Sequence, residues 1–452
     1  MITMDRRQAL FSLFGGSLLL PSFAAELQSQ DDSRSGPLRP KAPHFAGKAK
    51  SVILLYMSGG VSHIETFDPK PRLAADHGKP SGVKQFLGPH WSFHPGGECG
   101  APVSDLFPHI RECMDDICLI RSMRADHISH MEATLGIHTG SFSVKRPSLG
   151  SWVSYGMGRW NQNLPSFVVL APQLPYGGDQ CWSADFLPAI HQGTRLVSSS
   201  DPLPNLTPIA SEDLQQRELQ LLERLNRKHR KSRTADSRLA ARTQSFATAF
   251  GMQHAMPDVL DLSQETAGTL QLYGLGEEST DAFGRQCLVA RRMVERGVRF
   301  IELIDTGSNA PNNWDSHTNI PRDHPPRAKA VDQPIAALLQ DLKQRGLLAE
   351  TLVVWTTEFG RTPHNDGPVG RSHHPHAFSS WLAGAGVRAG MTYGATDEYG
   401  YQITENEVHV HDFHATILHL LGFDHEQLTY RHGGRDFRLT DVSGNVVHDI
   451  LT

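Results

Sequence analysis

Cysteine is scarce in this chain. Five residues (Cys99, Cys113, Cys118, Cys181 and Cys287) are scattered through 452. The spacing excludes a zinc finger and a disulfide scaffold alike, and an odd count leaves at least one thiol unpaired within the monomer. An exported chain with this set has room for one or two disulfides. Strong charge of either sign is missing too. A formal net charge of −5 provides no basic field for nucleic acid, so none is expected as a partner. Beyond the first 25 residues no apolar run reaches the ~20 residues of a spanning helix. No internal repeat is evident, and the sequence carries no signal for oligomeric state.

What is present suits a globular chain with long loops: 39% hydrophobic residues, 40 Gly and 28 Pro. The length exceeds one usual compact domain but fits a large single α/β enzyme. Residues 1–25, MITMDRRQALFSLFGGSLLLPSFAA, place Arg6-Arg7 before a modest apolar stretch and small residues at Ser22, Ala24 and Ala25. That pattern predicts a twin-arginine-type signal and a periplasmic or secreted protein with no membrane span after its removal. A plain secretory signal and an uncleaved lipid anchor are the alternatives. Residues 26–49, rich in Ser, Pro and charge, read as a linker. The remainder, 50–452, reads as one domain with a charged helical insertion at about 211–252. The basic run from Arg227 to Arg233 reads as a solvated helix face.

Continuous apolar runs mark buried strands. They occur at Lys50–Met57 (KSVILLYM), Ile117–Arg121, Phe167–Leu170, Val298–Ile304 (VRFIELI), Leu352–Trp355 and Ser379–Leu382. Helical spacing separates them, at Ser148–Gly158, Asp281–Gly297, Val331–Arg345 and His411–Leu421 among others. The alternation predicts an α/β fold with three α/β/α layers and a mostly parallel, doubly wound sheet.

Ligands gather at the C-terminal strand edge of such sheets, and four polar clusters fall at strand ends. Residues 62–68 hold His63, Glu65 and Asp68; 127–130 hold His127 and His130; 315–317 hold Asp315 and His317; 358–376 hold Glu358, His373, His374 and His376. Carboxylate oxygen with imidazole nitrogen is a donor set for divalent metal. If the strands are neighbours, one or two ions are expected here, from zinc, calcium, magnesium or manganese. Two ions ~4 Å apart clamp the attacking and leaving oxygens of phosphoryl-type transfer. Arg361 or Arg371 could then hold an anionic oxygen. A His-rich solvated loop is the plainer reading of the last cluster.

The succession IETFDPKP, Thr139-Gly140, WDSH, TLVVWTTEFGRTP, GRSHHP, WLAGAGV, GATDEYG, HDFHATILHLLG and GRDFRLTD resembles the bacterial family called domain of unknown function 1501. Its members are exported, often labelled sulfatase-like, and placed in the alkaline phosphatase superfamily. The resemblance implies an alkaline phosphatase-like fold and metal-dependent hydrolysis of phosphate or sulfate esters, polysaccharide-derived ones among them. A non-catalytic glycan- or anion-binding protein on that fold is the alternative. Ser58 stands where the superfamily has an Asp after the first strand. Glu358-Phe359 replaces an Asp-His pair, and the family's GRDH reads Gly370-Arg371-Ser372-His373. No Cys/Ser-x-Pro-x-Arg occurs, so formylglycine chemistry is not expected. His130 falls at the nucleophile place, ten residues before Gly140. It reads as metal ligand, as nucleophile, or as an imidazole satisfied by a backbone carbonyl; the ligand role is favoured.

Overall fold

The computed structural model describes residues 38–197, 206, 211–231, 237–310 and 312–452. The expected signal at 1–25 and the first part of the linker lie outside the described residues, as does 232–236 in the expected insertion. Eleven strands matter here: β1 Ser51–Tyr56, β2 Ile117–Arg124, β3 Phe167–Leu170, β4 Thr194–Leu196, β5 Phe300–Ile304, β6 Thr351–Thr356, β7 Gly360–Asp366, β8 Gly370–His374, β9 Phe378–Ala383, β10 Met391–Tyr393 and β11 Val408–His409. The helices used below are α1 His63–Thr66, α2 His130–Thr139, α3 Leu149–Met157, α4 Glu212–Lys231, α5 Ser237–Leu260, α6 Asp281–Glu295, α7 Ile320–Gln344 and α8 Val410–Leu420.

Nine strands form one sheet in the order β10-β2-β9-β6-β1-β5-β3-β4, with β11 also paired to β2. β1 is parallel to β6 and β5, so Tyr56 lies opposite Thr356 on one side and Ile304 on the other. β9 alone runs antiparallel to its neighbours β6 and β2. The reason is local: a parallel return needs a crossover on the sheet face. Here the chain between Thr356 and Phe378 folds instead into the β7–β8 hairpin and re-enters next door.

Side chains alternate across each strand and build two cores. Ile53, Leu55, Val353 and Trp355 face Met256, Leu288 and Leu338 from α5, α6 and α7. Val52, Leu54, Leu352 and Val354 face Ile137, Trp152 and Ile417 from α2, α3 and α8. Burying each such aliphatic side chain contributes ~1.5–3 kcal/mol, and the two layers hold the sheet between them. This is the three-layer, mostly parallel α/β arrangement the sequence predicts.

α7 begins eleven residues before the expected start at Val331. Pro325, Pro326 and Pro334 lie inside it. Proline removes a backbone donor and crowds the preceding turn, which argues against helix locally; the buried face through Ala328, Val331, Ile335 and Leu342 overrides that. Residues 38–49 lie against the domain, with Leu38 buried and the Lys48 and Ala49 amides donating to the Leu420 carbonyl. All five cysteines are free. Among the described residues no helix is long and apolar enough to cross a membrane.

Candidate metal centre

The centre forms where β1, β2, β5 and β6 end. Immediately after β6, the buried Glu358 carboxylate turns back over β1. Its Oε2 accepts the Tyr56 hydroxyl at 2.9 Å, and its Oε1 accepts the Gly59 amide at 2.9 Å. Gly59 has φ +115°, and a Cβ there would meet the amides of Asp315 and Trp314 at 2.6 and 2.7 Å. Only glycine lets the loop after β5 come this close. That loop delivers Asp315, whose amide donates to the Asn313 side chain at 3.0 Å. β2 leads into α2, which opens with His130.

Three imidazoles then share one arrangement. His130 Nδ1 lies 2.6 Å from Glu358 Oε1. His317 Nδ1 lies 2.7 Å from Asp366 Oδ2. His373 Nδ1 lies 2.8 Å from the Ile128 carbonyl. Each partner can only accept, so each Nδ1 carries a proton, which in a neutral ring leaves the lone pair on Nε2. All three Nε2 atoms face Asp315: His130 at 3.2 Å from Oδ2, His317 at 3.0 Å and His373 at 3.3 Å from Oδ1. Two ligands ~2.1 Å from one ion at a tetrahedral angle stand about 3.4 Å apart, so these separations suit a shared ion.

Two further observations test that fit. The His130 Nε2 is buried and has no hydrogen-bond partner. The Nε2 atoms of His317 and His373 face each other at 2.8 Å, so either one ring donates to the other or a cation stands between them. The donor atoms of His130, Asp315 and His373 lie within 4.8 Å of one another and could hold a metal ion.

The electrostatics follow from burial and pairing. Burial alone would push Glu358 up, but its bonds to His130 and Tyr56 hold it below the usual carboxylate range. Burial also opposes the charge on Asp315, yet His130, His317, His373 and Arg361 together drive it far below that range. Burial pulls His130 down, and Asp315 and Glu358 outweigh it, leaving the imidazole raised. Burial takes the Tyr176 phenol up to about 12, so it stays a donor. The Tyr176 ring stacks on His130 at 4.2 Å between centroids and 9° between planes. Its hydroxyl lies 3.4 Å from Asp315 Oδ2.

Of the expected ligands, the structure brings together His130, Asp315, His317 and His373, with Glu358 directly behind His130. The others lie elsewhere. His63 Nε2 donates to the Gly400 carbonyl at 2.9 Å, and burial lowers it to about 4. Glu65 pairs with Arg371 and Asp68 with Lys70. His374 Nε2 faces the Tyr401 carbonyl at 2.7 Å, and burial lowers it to about 3. His376 is exposed beside it. His127 stacks on Phe142 and accepts the Ser129 amide. The β-strand period of two separates His373 from His374, sending neighbours to opposite faces of β8.

Arg361 and Arg371, expected to grip substrate, are both buried within the protein. The Arg361 guanidinium bonds the Gly59, Gly60 and Arg371 carbonyls and Asp315. That of Arg371 bonds Glu65 and the Thr362, Leu87 and Gly88 carbonyls. Sequence reasoning passed over Tyr176, in an irregular Pro/Gly-rich loop with no local pattern. It also passed over Asp366, although that residue lies between Glu358 and His373.

No curated protein matches the chain. Solved structures of similar fold include the PsFucS1 sulfatase from Pseudoalteromonas sp. (13% identity, 89% of this chain and 71% of that one, TM-score 0.36). Alkaline phosphatase from the Antarctic bacterium TAB5 is another (9% identity, 76% and 94%, TM-score 0.33). A third is the C-terminal periplasmic domain of EcEptC from Escherichia coli in complex with Zn (8% identity, 91% and 99%, TM-score 0.38). The family model described as "Protein of unknown function (DUF1501)" matches residues 49–451, from the residue pair before β1 to the penultimate residue, and the chain belongs to that family.

Proposed function

We propose that this protein is an exported, metal-dependent hydrolase of phosphate or sulfate esters. The observation that supports it is the convergence of three Nε2 atoms on Asp315, each ring fixed through its Nδ1. His130, Asp315, His317 and His373 would hold the ion. Three imidazoles and one carboxylate suit zinc or manganese better than calcium or magnesium, which take oxygen ligands. Bound there, such an ion would supply Lewis-acid polarisation of an ester oxygen and a water of lowered pKa.

The surrounding residues have roles of their own. Glu358 and Asp366 fix the tautomers of His130 and His317, as carboxylates behind ligating imidazoles do. Arg361 orients Asp315. Tyr176 covers one face of the His130 ring and keeps water off it. Its Nδ1 held and its Nε2 directed at a carboxylate support reading His130 as a ligand rather than a nucleophile. The non-catalytic anion-binding alternative is less well supported, because both arginines that would hold an anion are engaged inside the protein. The Arg6-Arg7 pair supports export through a twin-arginine-type signal.

Metal content by mass spectrometry, with turnover of para-nitrophenyl phosphate and sulfate esters, tests the proposal. We expect close to one zinc or manganese ion per chain and turnover that Asp315→Ala and His373→Ala abolish along with the ion. A protein that loads metal yet turns over no ester of either kind would sink the hydrolase reading.

A further inference from the structure

The charges around the centre and the side chains at its rim together restrict what can enter. Asp315, Glu358 and Asp366 are the carboxylates bonded to its imidazoles. Among the described residues, the cations other than histidine that pair with these carboxylates are Arg361 on Asp315 at 2.8 Å and Lys84 on Asp366 at 3.5 Å. Three carboxylates against two cations leave one negative charge, and a divalent ion converts it to one positive charge. A singly charged ester brings the loaded centre to neutrality. A doubly charged one leaves an anion uncompensated in a half-buried site, which is costly. Neither Arg361 nor Arg371 is spare to meet that second charge, since both are fully buried on internal partners.

The rim is apolar. Ile128, whose carbonyl holds His373, is 55% exposed; Met131, next to His130, is 50% exposed; Phe142, stacked on His127, is 40% exposed. Large apolar side chains kept in water beside a polar centre mark a contact surface. Ile128 and Met131 adjoin the ligand-bearing segment of the chain, which points to the organic part of the substrate as what covers them.

We infer that the centre takes tetrahedral esters of single negative charge, sulfate monoesters or phosphodiesters, whose organic group lies on Ile128, Met131 and Phe142, and that it discriminates against phosphate monoesters. The inference rests on the hydrolase reading above. The full chain loaded with zinc is titrated calorimetrically with benzenesulfonate and with phenylphosphonate, which match in shape, at alkaline pH where the phosphonate carries two charges. Benzenesulfonate binds more tightly, and Ile128→Ser with Met131→Ser weakens it about tenfold while leaving methanesulfonate unaffected. Turnover follows the same order: para-nitrophenyl sulfate or bis(para-nitrophenyl) phosphate is hydrolysed faster than para-nitrophenyl phosphate, and which of the two is faster identifies the ester. Tighter phenylphosphonate binding, or faster monoester turnover, overturns the inference and leaves the hydrolase reading standing. A zinc-loaded protein that binds neither anion and hydrolyses none of the three overturns both.

Discussion

His130 Nδ1 and Glu358 Oε1 stand 2.6 Å apart across 228 residues of sequence. The bond connects the start of α2 to the tip of β6 and sets which ring nitrogen of His130 is free. Replacing Glu358 with Gln keeps the volume but removes the anion. The expected result is a loss of metal affinity of roughly ten- to a hundredfold, read by competition against a chromophoric chelator. An unchanged affinity would show that the carboxylate has no part in fixing the ring.

Arg371 and Glu65 are both fully buried and 2.6 Å apart. Arg371→Met leaves the Glu65 charge without its partner. The cost is about 3–5 kcal/mol of folding free energy, measured from urea unfolding. A variant of normal stability with a raised KM would instead mean that the guanidinium serves substrate.

His138 donates from both nitrogens, to the Thr134 carbonyl at 2.7 Å and to Glu302 at 2.7 Å, so it is an imidazolium. Burial lowers its pKa, but Cys181 and Glu302 outweigh burial and raise it well above the ordinary value. With the folded pKa above the unfolded one, its contribution is complete below about pH 6.5. It is lost as pH climbs through the raised folded value. The destabilisation caused by His138→Gln should therefore shrink from mildly acidic to alkaline pH. Equal urea midpoint differences at both ends of that range would rule this out.

Gly370 and Gly136 make a contrasting pair. A Cβ at Gly370 would lie 2.0 Å from the His317 carbonyl, whereas one at Gly136, inside α2, meets nothing within 4 Å. Gly370→Ala should displace His317 and lower metal affinity, with the far-ultraviolet dichroism of the sheet retained. Gly136→Ala should stabilise by about 0.5–1 kcal/mol. Retained affinity in the first, or destabilisation in the second, would contradict the packing described.

The strands that carry the centre were legible because parallel central strands are apolar throughout, as in SVILLY and TLVVWT. Asp315, His317, Glu358 and His373 could be picked out because they follow such strands closely. What local pattern could not supply is side-chain direction and distant pairing. His374 differs from His373 only by the face of β8 it occupies. Arg371 looks like an anion grip until Glu65, 306 residues away, is found against it. Tyr176 reaches His130 from a loop with no periodicity at all. The short strands β4, β10 and β11 have too few residues to show a period.

The β7–β8 hairpin bears on time as well as on place. It carries Asp366 and His373, and it is fastened to the rest of the fold by Arg361 on the Gly59 and Gly60 carbonyls and by Arg371 on Glu65, Leu87 and Gly88. Loosening that double clasp would be an opening of one local unit rather than of the whole domain. It would carry His373 and Asp366 away together, so the site would lose one imidazole and the carboxylate behind another in a single event.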